Sequence, residues 1–241
     1  LSFVWQEGGE DILVDSGKFG YSRDQFRTYF LSTRAHNTIE FNHNSSKRNA
    51  KNSYGSGIKT LKLVPNGWMI DAYAPKPANG YTHHRTVFFQ PGEQVMVFDK
   101  VEPIELNRMN AYTAWWHFSP TLDVNLYEMH AKLTNSNNGR SIIVLNYSNA
   151  EITKSIYACG SEHPYYQGWM STGYLKAEPC PTIGFHGTVK GTFIMVTVFD
   201  LVLNNVFSKS KLDHDIMNKI PMLDWNDAEI QALKNFNRTK I

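Results

Sequence analysis

The 241 residues predict an all-β chain: a large antiparallel β-sandwich of stacked sheets with a short C-terminal helix. Three observations carry this. Short runs of β-branched and aromatic residues recur along the chain, turn pairs such as Pro91-Gly92 separate them, and helical periodicity is nearly absent. Residues 23–31 space Phe26, Tyr29 and Phe30 loosely as a helix would, and read equally well as an irregular turn. Residues 43–57 are rich in Asn, Ser, Lys and Gly and predict an exposed loop, basic through Lys47, Arg48 and Lys51. That loop reads either as a solvated connection or as a contact for an anionic ligand.

Residues 68–73 form the next strand. Residues 85–89 and 94–99 flank Pro91-Gly92 as a hairpin. Positions 95–98 are apolar in succession, which predicts a strand covered on both faces. Residues 141–147 follow the Asn138-Gly139 turn, and residues 183–189 and 192–199 flank Lys190-Gly191 as a second hairpin. In the tail, Asp224 or Asn226 caps a helix that starts with acids and ends on Lys234, a segment suited to packing on a sheet. With no repeat and no linker in view, residues 1–241 are expected to form a single domain.

Composition narrows the function classes. Apolar residues make up 41%, aromatic 13% and charged 19%, which excludes disorder. The net charge of +2, from 24 basic and 22 acidic side chains, offers no nucleic-acid footprint. No apolar run approaches the roughly 20 residues of a membrane-spanning helix. Cys159 and Cys180 do not make a disulfide framework; they read as one bridge or as buried thiols. A start at Leu1, without methionine or signal peptide, reads as a processed or excised segment. Phosphate loops, zinc-protease helices, serine elbows and paired Cys-x-x-Cys motifs are all missing.

Nine histidines remain as chemistry-bearing candidates. His43, His163 and His214 sit in polar stretches and read as surface residues. His83 and His84 open a strand, so alternation sends one to each face. His117, in an aromatic strand, is either a hydrogen-bonded core residue or a metal ligand. His36, followed by Asn37 at a strand entry, sets an acid/base group beside an amide, and its type alone leaves a structural role open.

The context of His36 is more specific. Asp15-Ser16-Gly17, then Phe26-Arg27-Thr28-Tyr29-Phe30, then Arg34-Ala35-His36-Asn37-Thr38 resembles the β-domain entry of heparinase II/III-type polysaccharide lyases. Gly80-Tyr81 with His84-Arg85, Phe98-Asp99-Lys100-Val101, Trp116-His117-Phe118-Ser119-Pro120 and Gly168-Trp169-Met170-Ser171 follow in the family's order, over roughly residues 10 to 200. The resemblance implies the C-terminal β-sandwich of a two-part lyase that cleaves a uronic-acid polysaccharide, such as heparan sulfate or alginate, by β-elimination. An N-terminal α/α toroid of the same protein would carry the catalytic tyrosine, so this segment alone is expected to be inactive.

By the same resemblance His36 is the catalytic histidine, and Asn37, Arg34, Tyr81 and His84 are substrate contacts. A zinc or other divalent metal is implied through Asp71 and His117, although Thr38 stands where the family has a further histidine. The implied partners are an acidic polysaccharide and the toroid, and the implied location is periplasmic or secreted. A non-catalytic carbohydrate-binding or structural sandwich, or a lectin-like jelly roll, is the alternative.

Overall fold

The strands are β1 (Trp5–Glu7), β2 (Glu10–Leu13), β3 (Ile39–Phe41), β4 (Gly57–Val64), β5 (Gly67–Lys76), β6 (Tyr81–Gln90), β7 (Gln94–Pro103) and β8 (Met109–His117) in the first half of the chain. β9 (Leu122–Leu126), β10 (His130–Asn135), β11 (Ser141–Ser148), β12 (Ile152–Ala158), β13 (Trp169–Gly173), β14 (Lys176–Pro179), β15 (Thr182–Lys190) and β16 (Phe193–Val202) complete the set. Helix is confined to α1 (Gln25–Phe30), α2 (Lys209–Lys219), α3 (Asp227–Phe236) and short 3-10 turns. This computed structural model describes residues 1–47, 49–202 and 208–236; Arg48, named above in the basic loop, lies outside the described residues.

An eight-stranded antiparallel sheet, ordered β4-β5-β6-β7-β16-β11-β10-β9, faces a four-stranded sheet, β12-β15-β8-β3. The predicted sandwich is therefore present, and β7 shows why its sequence lacks alternation. Val95 and Val97 point into the core between the sheets with Phe199, Phe185 and Trp116. Met96 and Phe98 point the opposite way, into a second core roofed by Leu212 and Ile216 of α2 and Leu233 of α3. All four are at most 1% exposed, and each fully buried side chain of this kind contributes about 1.5–3 kcal/mol.

The Pro91-Gly92 hairpin forms as expected, with Gly92 at φ 74° and Gln90 paired to Gln94. The second expected hairpin does not. β15 pairs with β8 and β12 in the small sheet, while β16 pairs with β7 and β11 in the large one. The Lys190-Gly191 turn, with Gly191 at φ 81°, carries the chain from one sheet to the other. A turn signal reports reversal of the chain, not which neighbour the next strand will pair with.

Of the two helices over the outer core, only α3 was legible. Asn226 is its cap: Asn226 Oδ1 accepts from the Glu229 N–H at 3.0 Å, and Glu229 Oε2 accepts from the Asn226 N–H at 2.9 Å. α2 is capped by Ser208 and buries Leu212, Ile216 and Lys219 among otherwise polar residues, too sparse a stripe to register as periodic. Cys159 is exposed and Cys180 buried, both as free thiols. Among the described residues no helix is long and apolar enough to cross a membrane.

Candidate functional site

The Asp15-Ser16-Gly17 motif and the residues after α1 meet at one place. Asp24 accepts from the Arg27 N–H and caps α1. Phe19, Tyr29, Phe30 and Ala35 then pack on Trp169 and Tyr166, which seats the Thr33–Ala35 turn. Ser16 donates to the Ala35 carbonyl. Gly17, at φ 75°, turns its N–H onto Asp15 Oδ1 at 2.8 Å. The other carboxylate oxygen of Asp15 accepts from His36 Nδ1 at 2.8 Å. A carboxylate only accepts, so Nδ1 carries a proton and Nε2 is the ring nitrogen left for a ligand.

Burial pushes the Asp15 carboxyl up, but the hydrogen bond and charge of His36 and the Gly17 N–H outweigh it and hold the group below the usual carboxylate range. The His36 side chain is 27% exposed. It lines a groove of about 720 Å³ together with Thr33, Ser46, Lys47, Asn52 and Lys76. Asn52 and Asn79 staple the basic loop that forms the far wall: Asn52 Nδ2 donates to the Lys47 carbonyl and to Asn79 Oδ1, and Asn79 Nδ2 donates to the Ser45 carbonyl. Among the described residues neither Lys47 nor Lys76 is paired with a carboxylate.

Asn37 is not on the rim. It is completely buried, and its amide is fully used. Nδ2 donates to the carbonyls of Phe3 and Val14, both at 2.9 Å, and Oδ1 accepts from the His117 N–H at 2.7 Å and faces His117 Nδ1 at 3.2 Å. It clamps three segments together, so the expectation of a substrate contact is corrected to a structural one.

Its own carbonyl accepts from Arg85 Nη1 at 2.6 Å, and Arg85 grips Asp99 through Nε and Nη2 at 2.7 and 2.9 Å. His83 Nε2 donates to the same Asp99 at 2.7 Å. Burial pulls His83 down to about 4 despite that carboxylate, so the buried network balances one guanidinium against one carboxylate with a neutral imidazole as donor. Asp99, although burial opposes it, is held far below the carboxylate range by Arg85 and His83.

Tyr81 is 4% exposed and packs on Phe41 with ring centres 5.3 Å apart. Burial pushes its hydroxyl up to about 12. It faces the core and offers nothing to a ligand, contrary to expectation. His84 turns to the opposite sheet face from His83, pairs with Glu102 at 3.0 Å and rests against Tyr73, so alternation separates it from the Asn37 cluster. Arg34 pairs with the buried Glu40 at 3.0 Å and lies 4.3 Å over the Tyr165 ring.

The implied metal set does not assemble. Asp71 pairs in register with Thr86 and accepts from its hydroxyl at 2.8 Å, on the face of β6 shared with His84. His117 joins Asn37, whose carbonyl is held by Arg85 on the other face, and burial pulls it down to about 3. The two candidates therefore lie on opposite sides of the large sheet. Among the described residues no group of three or more His, Cys, Asp or Glu is placed to hold a metal. His117 is the core histidine of its two readings.

Asp15, Lys76 and the Asn52–Asn79 staple were not singled out from sequence. Of these only Asp15 carried a signal, as the first residue of the Asp-x-Gly motif.

A family model described as heparinase II/III-like, C-terminal, matches residues 1–185. Among solved structures, a heparinase III is similar with a TM-score of 0.65 at 17% identity, over 86% of this chain and 33% of its own. The heparan sulfate lyase HepC from Pedobacter heparinus is similar with a TM-score of 0.63 at 15% identity, over 83% of this chain and 30% of its own. At such identities the likeness is one of fold. The chain spans about a third of the length of these structures. No protein of curated function matches it.

Proposed function

Since the chain belongs to the heparinase II/III-like C-terminal family, we propose that it is the β-sandwich of a polysaccharide lyase and contributes His36 to the wall of a cleft that cleaves an acidic polysaccharide by β-elimination. The observation that carries this reading is the Asp15–His36 pair beside two groove lysines, Lys47 and Lys76, that pair with no carboxylate among the described residues. β-Elimination at a uronate requires three things: the carboxylate neutralised, a base for the weakly acidic C5 proton, and a proton for the leaving oxygen at C4. With Nδ1–H given to Asp15, His36 Nε2 accepts a proton when neutral and donates one, or binds the carboxylate, when charged. Lys47 and Lys76 attract the polyanion. A toroid in the same protein supplies the remaining acid/base group, and a polysaccharide substrate goes with a periplasmic or secreted location.

The test is His36→Ala in the full-length protein, following the ultraviolet absorbance of the unsaturated uronate product on heparan sulfate and alginate. Turnover should fall by about two to four orders of magnitude, and melting should change little because a rim side chain leaves no core cavity. Full turnover by the folded variant would overturn the assignment.

A further inference from the structure

β4 closes one end of the eight-stranded sheet, so only one of its two backbone edges has a neighbour. The strand is 8 residues long, and every residue from Gly57 to Leu63 is exposed. Among the described residues its backbone pairs with β5 and with nothing else. Four strands cannot cover eight, and the shortfall falls here.

The two sides of β4 differ in chemistry. After a bulge between Ile58 and Thr60, Leu61 stands opposite Ile70 and Leu63 opposite Trp68. That is the side on which Ile70 and Phe89 pack against the core between the sheets. Ile58, Leu61 and Leu63 are nevertheless 68%, 60% and 70% exposed. Ile58 also lines a groove of about 600 Å³ with Ile70, Val87 and Phe89, whose far wall is the segment from Leu1 to Gln6. The other side of the strand is basic. Lys62 stands opposite Met69 of the outer core, and Lys59 lies 5.2 Å over the Tyr73 ring. Among the described residues neither lysine is paired with a carboxylate.

An open edge of this length, apolar on one side, is a template for a further strand. A second copy of the chain fits it poorly. The antiparallel register that sets Leu61 against the other copy's Leu63 also sets Lys62 against Lys62, and like charges directly opposed are destabilising. The complement is a strand in which apolar and acidic residues alternate. Its apolar side chains then fall on Leu61, Leu63 and the groove beside Ile58, and its carboxylates on Lys59 and Lys62.

We propose that the β4 edge is a docking site for an extended segment of a partner protein, apolar and acidic in alternation, which adds to the large sheet as one more strand. Trp68 and Lys76 stand near opposite ends of β5, roughly 25 Å apart. Lys76 lines the His36 groove, so the apolar end of the docking site lies well away from it. The inference does not depend on the lyase reading.

The experiment titrates the full-length protein against labelled peptides of about ten residues, one alternating valine with glutamate and the other valine with lysine, by fluorescence anisotropy. The glutamate peptide should bind at least tenfold more tightly than the lysine peptide. Lys59→Glu with Lys62→Glu should reverse that preference. Leu61→Thr with Leu63→Thr should weaken the glutamate peptide about tenfold or more. All four side chains are exposed, so both double variants should melt within a few degrees of wild type. Hydrogen exchange of residues 57–64 should slow when the glutamate peptide is present. Absence of binding below about 1 mM would leave the two lysines as guards of a solvent edge and overturn the proposal. So would affinity that neither double variant alters, which places the peptide elsewhere on the protein. Self-association through β4, or slow exchange of every β4 amide before peptide is added, would show the edge filled by another occupant and overturn it equally.

Discussion

Asn37 and His36 are adjacent in sequence, and mutating them should have opposite consequences. Asn37→Ala removes two donated hydrogen bonds and one accepted one, stranding the Phe3 and Val14 carbonyls and the His117 N–H. None of these can turn to water, since Asn37 and His117 are both fully buried. A buried group left unsatisfied costs about 1–3 kcal/mol. Three of them, with partial relaxation, amount to roughly 3–5 kcal/mol, a large share of the about 5–15 kcal/mol that stabilises a typical fold. For a chain of this size each kcal/mol lowers the melting temperature by about 2–4 °C, so a loss of roughly 6–20 °C is expected. Asn37→Asp should be at least as damaging, because a carboxylate aims lone pairs at the two carbonyls to which the amide donated. Calorimetry or urea unfolding of both variants beside His36→Ala measures the contrast. If Asn37→Ala stayed within about 1 kcal/mol of wild type, the clamp would be refuted and Asn37 would return to the rim as a ligand contact.

Acid should unfold the protein earlier than its carboxylates alone would. His83 and His117 have folded-state pKa values of about 4 and about 3, below their ordinary 6.5. The unfolded chain therefore takes up protons first, and the stability present above pH 6.5 is lost as pH falls toward 4 and below; Asp15 and Asp99, also depressed, add to the loss below about pH 4. At about 1.4 kcal/mol per pKa unit the two histidines together account for several kcal/mol, and a flat melting temperature between pH 7 and pH 4 would contradict their buried, neutral state. Replacing Lys47 and Lys76 by Met should weaken acidic-polysaccharide binding several-fold at low salt and flatten its salt dependence, measured by titration at two ionic strengths. An unaltered salt slope would remove the groove from the binding path.

Local signals alone determined much of this protein. Strand positions, the Pro91-Gly92 hairpin, the Asn226 cap, the double burial of residues 95–98 and the split of His83 from His84 all follow from dihedral preference, hydrogen-bonding chemistry and side-chain alternation, which act between near neighbours. The motif around His36 is made of segments that meet in the structure. What the motif could not convey is where its members turn. His36 reaches the rim and Asn37 the interior because the turn before them is seated by Trp169 and Tyr166, more than a hundred residues away in sequence. Asp15 becomes the partner of His36 only once Gly17 folds back. Tyr81 faces Phe41 rather than solvent, and Asp71 and His117 fall on opposite sides of one sheet. The same gap explains why β15 and β16 part company across a turn that looks like a hairpin. Alternation fixes which residues of a strand share a face, but which face is buried, and against which strand, is settled by packing between distant segments, and no short window of sequence contains that information.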